Sequence, residues 1–105
     1  MQLPGWMTQK LNIKMEIEFD PEFRTKYDKV NVRIKNQTKD KLRIFKKNPE
    51  DPQLNNHPLK REWYGYRSID ITNDYRAIYE EKIVGSQTIA YFVVIGTHEK
   101  LYSPK

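Results

Sequence analysis

The chain has 105 residues, one domain's worth, with 37% hydrophobic and 31% charged residues and a formal net charge of +5. It holds no cysteine and only two histidines, which excludes disulfides, thiolate zinc sites and a cysteine nucleophile and leaves little for a His-rich metal centre. No stretch approaches the roughly 18 apolar residues of a membrane span and the first ten residues lack the apolar run of a signal peptide, so a cytoplasmic protein is expected, with a basic surface suited to a polyanionic partner.

Residues 1–10, with Pro4 and Gly5, show no period and read as a flexible leader to a single domain over 1–105. Residues 11–19 alternate: Leu11, Ile13, Met15, Ile17 and Phe19 are apolar and the residues between them polar. That is a strand with one buried face. Asp20-Pro21-Glu22 combines an N-cap residue, a proline at the first helical position and an acidic first turn. A helix is predicted from Pro21, with Phe23, Tyr27, Val30, Ile34, Leu42 and Phe45 as its apolar stripe. It ends before Asn48-Pro49, because the residue ahead of a proline avoids helical angles. A helical hairpin with a break near residues 28–33 is favoured over one long helix.

Residues 48–62 read as a loop. Three strand-like runs follow, Tyr66–Thr72, Tyr75–Glu81 and Thr88–Ile95, with turns at Thr72-Asn73-Asp74 and around Gly85-Ser86. The predicted fold is α+β: a small antiparallel sheet of about four strands with a helical hairpin on one face.

Polar residues able to do chemistry gather in the second half: His57 in the loop, Arg67, Ser68 and Asp70 on one strand, Asp74 and Arg76 at the next turn, and His98 and Tyr102 after the last strand. Each has a plain structural reading too. Asp74 suits a turn, and Asp70 alternates away from Ile69 and Ile71. Arg76 shares strand parity with Ile78, so alternation does not place it beside Asp70. Tyr102 could anchor the C-terminal end of the core.

The ordered set His57-Pro58-Leu59, Trp63-Tyr64-Gly65-Tyr66-Arg67, Asp74-Tyr75, Ile78-Tyr79 and Gly96-Thr97-His98-Glu99-Lys100-Leu101-Tyr102 resembles the RelE/ParE toxin superfamily, and within it the YafQ branch of ribosome-dependent mRNA interferases. The resemblance implies a RelE-like fold and a type II toxin that cuts mRNA by 2′-OH attack. His57 and His98 would lie near the scissile phosphate, with Asp74 as the acidic residue of the strand turn. Asp70 is a candidate acid–base partner, and Arg67 and Arg76 are candidate phosphate stabilisers. Tyr102, where the branch usually has Phe, would meet RNA together with Ser68, and Lys46 and Lys47 on the helical region would meet phosphates. The branch commonly has Asp and His where this chain has Ser68 and Asp70, which leaves the general base open. The implied partners are an antitoxin, the ribosome and mRNA, with no cofactor and no metal. The alternatives are a ParE-like inhibitor of DNA gyrase and a catalytically inactive binding relative of the same fold.

Overall fold

The computed structural model describes residues 15–102. The leader over 1–10 and the first part of the predicted first strand lie outside the described residues. Strand β1 is Glu16–Phe19, with Met15 buried just ahead of it and Ile17 and Phe19 packed on the core. Asp20 caps helix α1 (Pro21–Lys29), its Oδ1 accepting from the Glu22 N–H at 2.8 Å. The predicted break falls at Val30-Asn31. There the Asn31 side chain accepts from the Ile34 N–H at 2.9 Å and starts helix α2 (Val32–Lys47). Single 3₁₀ turns at Pro52–Leu54 and Arg61–Trp63 flank a two-residue strand β2 (His57–Pro58). Strands β3 (Arg67–Asp70), β4 (Tyr75–Val84) and β5 (Gln87–Thr97) follow, and a short helix α3 (His98–Tyr102) closes the described chain.

The α+β reading holds, with two differences from the sequence expectation. The sheet has five strands in the order β1-β5-β4-β3-β2, because the loop ahead of β3 pairs briefly with it. The sheet is also not wholly antiparallel. β1 runs parallel to β5, from Glu16 opposite Ile89 to Phe19 opposite Phe92, and the helical hairpin supplies the crossover. The Asp20 N–H donates to the Phe92 carbonyl at 2.9 Å, extending that ladder to the helix cap.

The two helices cover one face of the sheet. Phe45 of α2 meets Tyr79 and Phe92 edge-on, with centroids 5.0 and 5.4 Å apart, and Phe23 of α1 lies 5.9 Å from Phe92. Phe45, Phe92, Ile69, Ala77 and Ala90 are fully buried, and burying a side chain of Phe size contributes about 1.5–3 kcal/mol. A β-bulge shapes this face. The pairing steps from Ile78 opposite Val94 to Tyr79 opposite Phe92, so Val93 is the extra residue on β5 and Phe92 turns toward the helices.

The other face of the sheet is not left to solvent. α3 folds back across it and sets Leu101 over Gly96, where a Cβ would come within 3.2 Å of the leucine Cδ2. Ile78 and Ser68, both fully buried, sit opposite each other on this second face.

Candidate active site

Pairing places the candidate residues more surely than strand parity does. Directly opposed residues of an antiparallel pair share a face. His57 is opposite Ser68, Ser68 is opposite Ile78, and Asp70 is opposite Arg76. His57, Ser68, Asp70 and Arg76 therefore share the second face, the one that α3 crosses with His98 and Tyr102. The expectation that alternation keeps Arg76 away from Asp70 is corrected. Ile78 belongs to the α3-covered face, so parity with Ile78 puts Arg76 on the same face as Asp70.

Arg76 Nε lies 3.0 Å from Asp70 Oδ1, in a pair whose side chains are 16% and 27% exposed. The contact is ionic: Oδ1 is buried and accepts no well-aligned hydrogen bond. Arg76 Nη1 donates to the carbonyls of Thr72 (2.8 Å) and Tyr75 (3.0 Å). The guanidinium thus ties down the β3–β4 turn as well as neutralising Asp70. The same turn is braced by Thr72 Oγ1, which accepts from the N–H groups of Asp74 and Tyr75.

Asp74 lies on this turn, and its carbonyl accepts from the His98 N–H at 2.7 Å. The turn thereby fixes the first residue of α3. An open cleft of about 580 Å³ runs between them, lined by Asp74, Arg76 and His98 among others. The His98 ring is exposed and meets the Tyr102 ring edge-on at 4.6 Å. The Tyr102 hydroxyl donates to Ser68 Oγ at 3.0 Å. Burial pushes the Tyr102 phenol above its ordinary range, the Ser68 bond and the Arg76 charge draw it part of the way back, and Asp70 adds to the rise. Tyr102 is therefore a neutral hydroxyl at physiological pH. Ser68, expected to meet RNA, has no accessible surface and can reach a ligand only through Tyr102.

His57 is half-buried on β2, and its Nδ1 lies 2.7 Å from the Asn55 carbonyl. A carbonyl only accepts, so Nδ1 carries the proton and Nε2 of the neutral ring keeps its lone pair. The loop that presents it is organised by Asn56. Its Nδ2 donates to the Pro49 carbonyl (2.9 Å) and to the Tyr79 hydroxyl (2.8 Å), and its Oδ1 accepts from Arg67 Nε (2.9 Å). Arg67 is opposite Tyr79 and so faces the helical side, away from the His98 cluster. Lys46 and Lys47 are exposed at the end of α2, in the layer on the far side of the sheet. Asn56 was not singled out by sequence reasoning. Its signal was a polar pair, Asn55-Asn56, lodged between prolines and just ahead of a histidine. Trp63, part of the ordered set of the resemblance but given no role there, donates its Nε1–H to the Leu101 carbonyl at 3.1 Å and pins the β2–β3 loop to α3. Among the described residues, no group of three or more His, Asp or Glu side chains is placed to hold a metal ion.

A family model for the ParE toxin of type II toxin–antitoxin systems matches residues 17–102. The chain belongs to that family, within the RelE/ParE toxin superfamily. Solved structures share the toxin's fold. The YoeB/ParE toxin from Agrobacterium tumefaciens is 23% identical with a TM-score of 0.66, over 80% of this chain and 99% of that one. YafQ from Escherichia coli strain BL21(DE3) is 24% identical with a TM-score of 0.65, over 86% and 100%. The toxin–antitoxin complex RelBE2 from Mycobacterium tuberculosis matches at 20% identity with a TM-score of 0.65, over 82% and 100%. A search of curated protein sequences found no significant match. The toxin has no helix, among the described residues, long and apolar enough to cross a membrane.

Proposed function

We propose that this toxin is an mRNA endonuclease that acts on the ribosome in the cytoplasm and is held silent by a cognate antitoxin. The observation that carries the reading is the gathering of two imidazoles, a guanidinium and an aromatic hydroxyl on one face of the sheet, from three separate segments of chain. A gyrase poison has no use for two such histidines.

The chemistry needs a base, a cation and an acid. The base takes the proton of a ribose 2′-OH. The 2′ oxygen bonds to phosphorus, the bond from phosphorus to the 5′ oxygen breaks, and the acid protonates that leaving oxygen. The product end is a 2′,3′-cyclic phosphate, and DNA, lacking the 2′-OH, is not cut. His98 is the exposed group of the cluster and takes one of the two proton-transfer roles. His57, with Nε2 unprotonated in the neutral ring, takes the other as base, and Asp70, paired with Arg76 on the same face, is the carboxylate candidate for that role. Arg76 supplies charge beside the phosphate. Tyr102 orients the His98 ring and offers a face for a splayed base. Arg67 stabilises the Asn56 loop that carries His57, and the net positive surface, Lys46 and Lys47 included, favours ribosomal RNA.

The antitoxin partner is supported by relatives solved as complexes, DinJ with YafQ from Escherichia coli and RelBE2 from Mycobacterium tuberculosis. A second reading, a gyrase-directed or binding-only toxin, is favoured by one observation. The Arg76 charge is largely spent on Asp70 and on backbone carbonyls. Induced expression in bacteria with mapping of mRNA 5′ ends separates the two. Growth arrest with cuts inside translated codons is expected for the wild type, with cutting reduced by about 10²–10⁴-fold in His98→Ala. Arrest without new 5′ ends points to a gyrase-type target, and unimpaired growth points to a binding-only protein.

A further inference from the structure

Between α2 and the β3–β4 turn lies a second cleft of about 470 Å³. One wall is a single stripe of α2, Arg33, Gln37 and Lys41, spaced four residues apart so that they stack along one face. The other wall is Gln53 with the turn residues Asn73 and Asp74. Asn73 and Asp74 also line the cleft that holds His98 and Arg76, so the two clefts meet at that turn. Asp70 reaches both regions, lining this cleft and pairing with Arg76.

Five of the polar side chains around the cleft are unspent. The side-chain amides of Gln37, Gln53 and Asn73 and the charged ends of Arg33 and Lys41 make no hydrogen bond or ion pair with any described residue. Each amide offers a donor and an acceptor side by side, the pattern that matches the edge of a nucleobase. Arg33 and Lys41 stand against Asp74, and Asp70 is already neutralised by Arg76, so one positive charge is left in excess. A cleft of that kind suits a hydrogen-bonding ligand flanked by phosphates.

We infer that this cleft is a nucleobase-reading subsite, taking one unpaired RNA base that flanks the cut, with Gln37, Gln53 and Asn73 on its edge and Arg33 and Lys41 on neighbouring phosphates. The inference rests on the reading of the protein as an RNA-cutting toxin. RNA recognition of this type works on splayed bases whose edges are free, and the turn shared with the His98 cleft sets the read base next to the reacting phosphate.

The test uses a defined message translated by purified bacterial ribosomes, with 5′ ends mapped after adding wild type, Gln37→Leu, Gln53→Leu or Gln37→Glu. The wild type is expected to favour particular bases at one position beside its cuts. Each Leu variant should flatten that preference, by about 5- to 150-fold for a lost two-point contact, while still cutting. Gln37→Glu turns an amide into an acceptor-only group, so it should shift the preference toward bases that present an amino donor, guanine (N1–H beside its N2 amino group), cytosine or adenine, and away from uracil. An unchanged ratio among cut sites in all three variants overturns the inference and leaves the function standing. So does a uniform loss at every site, or a wild type indifferent to sequence. A wild type that cuts no message sinks the proposed function, and this subsite with it. Thermal melting of each variant beside the wild type separates a folding defect from a change in reading.

Discussion

Tyr102 and Ser68 form a hydrogen bond on the α3-covered face, and its worth can be worked out from their surroundings. Tyr102→Phe keeps the ring against His98 and deletes only the hydroxyl. Ser68 has no accessible surface, so no solvent water replaces the lost donor, and the stranded Ser68 hydroxyl costs about 1–3 kcal/mol. Ser68→Ala strands the half-buried Tyr102 hydroxyl. Part of that hydroxyl's environment is wet, so the cost is smaller, about 0.5–1.5 kcal/mol. Removing both partners leaves nothing stranded. The double variant should therefore be no worse than the poorer single variant, with a coupling of roughly 1 kcal/mol. Urea unfolding of the four proteins, followed by circular dichroism, measures this as midpoint shifts at constant slope. Single-variant costs that add to within about 0.3–0.5 kcal/mol in the double variant would refute the argument. They would mean that the 3.0 Å contact carries no energy.

Other consequences can be checked on the same protein. Phe45→Ala empties a fully buried site between Tyr79 and Phe92, and it should lower stability by about 3–5 kcal/mol in the same urea assay. Asn31→Ala removes the side-chain cap of α2 and should cost about 0.5–2 kcal/mol, with Asn31→Ser restoring most of it. Burial raises the Tyr79 and Tyr102 phenols above their ordinary 10.0 in the folded protein. The unfolded chain then releases these protons first, so their contribution is intact below pH 10 and is lost as pH climbs through the raised values. Stability measured between about pH 9 and about pH 11 should fall with pH, and Tyr102→Phe should fall less steeply. A slope equal to the wild type's would remove Tyr102 as a contributor.

Local chemistry in the sequence accounts for much of this fold. Asp20-Pro21 marks the start of α1, and Asn48-Pro49 the end of α2. The hairpin break falls within the expected residues 28–33, and the structure adds its cause, the Asn31 side chain that caps α2. The pairing partners were not readable. β1 alternates as a half-exposed strand does in either direction, and nothing in its residues states that it runs parallel to β5. β2 is two residues long and contains a proline, so it looks like loop. The site was harder than the fold, for one physical reason: the sheet is buried on both faces near β3 and β4. Polar and apolar positions then no longer map onto outside and inside. Ser68 and Ile78 share a covered face, and Asp70 meets Arg76 there because of register. The cover itself, α3, is five residues long, too short for helical periodicity to reveal.

The parallel pairing of β1 with β5 also governs when the molecule can come into being. Glu16 finds its partner in Ile89, 73 positions further along (89 minus 16), and β5 is the strand between β1 and β4. A strand that joins the two parts of the sheet and is made after every other described strand postpones cooperative closure until it has emerged. α3, with His98 and Tyr102, follows it in the chain. A nascent chain that has not yet freed β5 and α3 has neither its joining strand nor its second-face cover. The His98 cluster therefore assembles after the other described elements have been made, and that delay is written into the strand order.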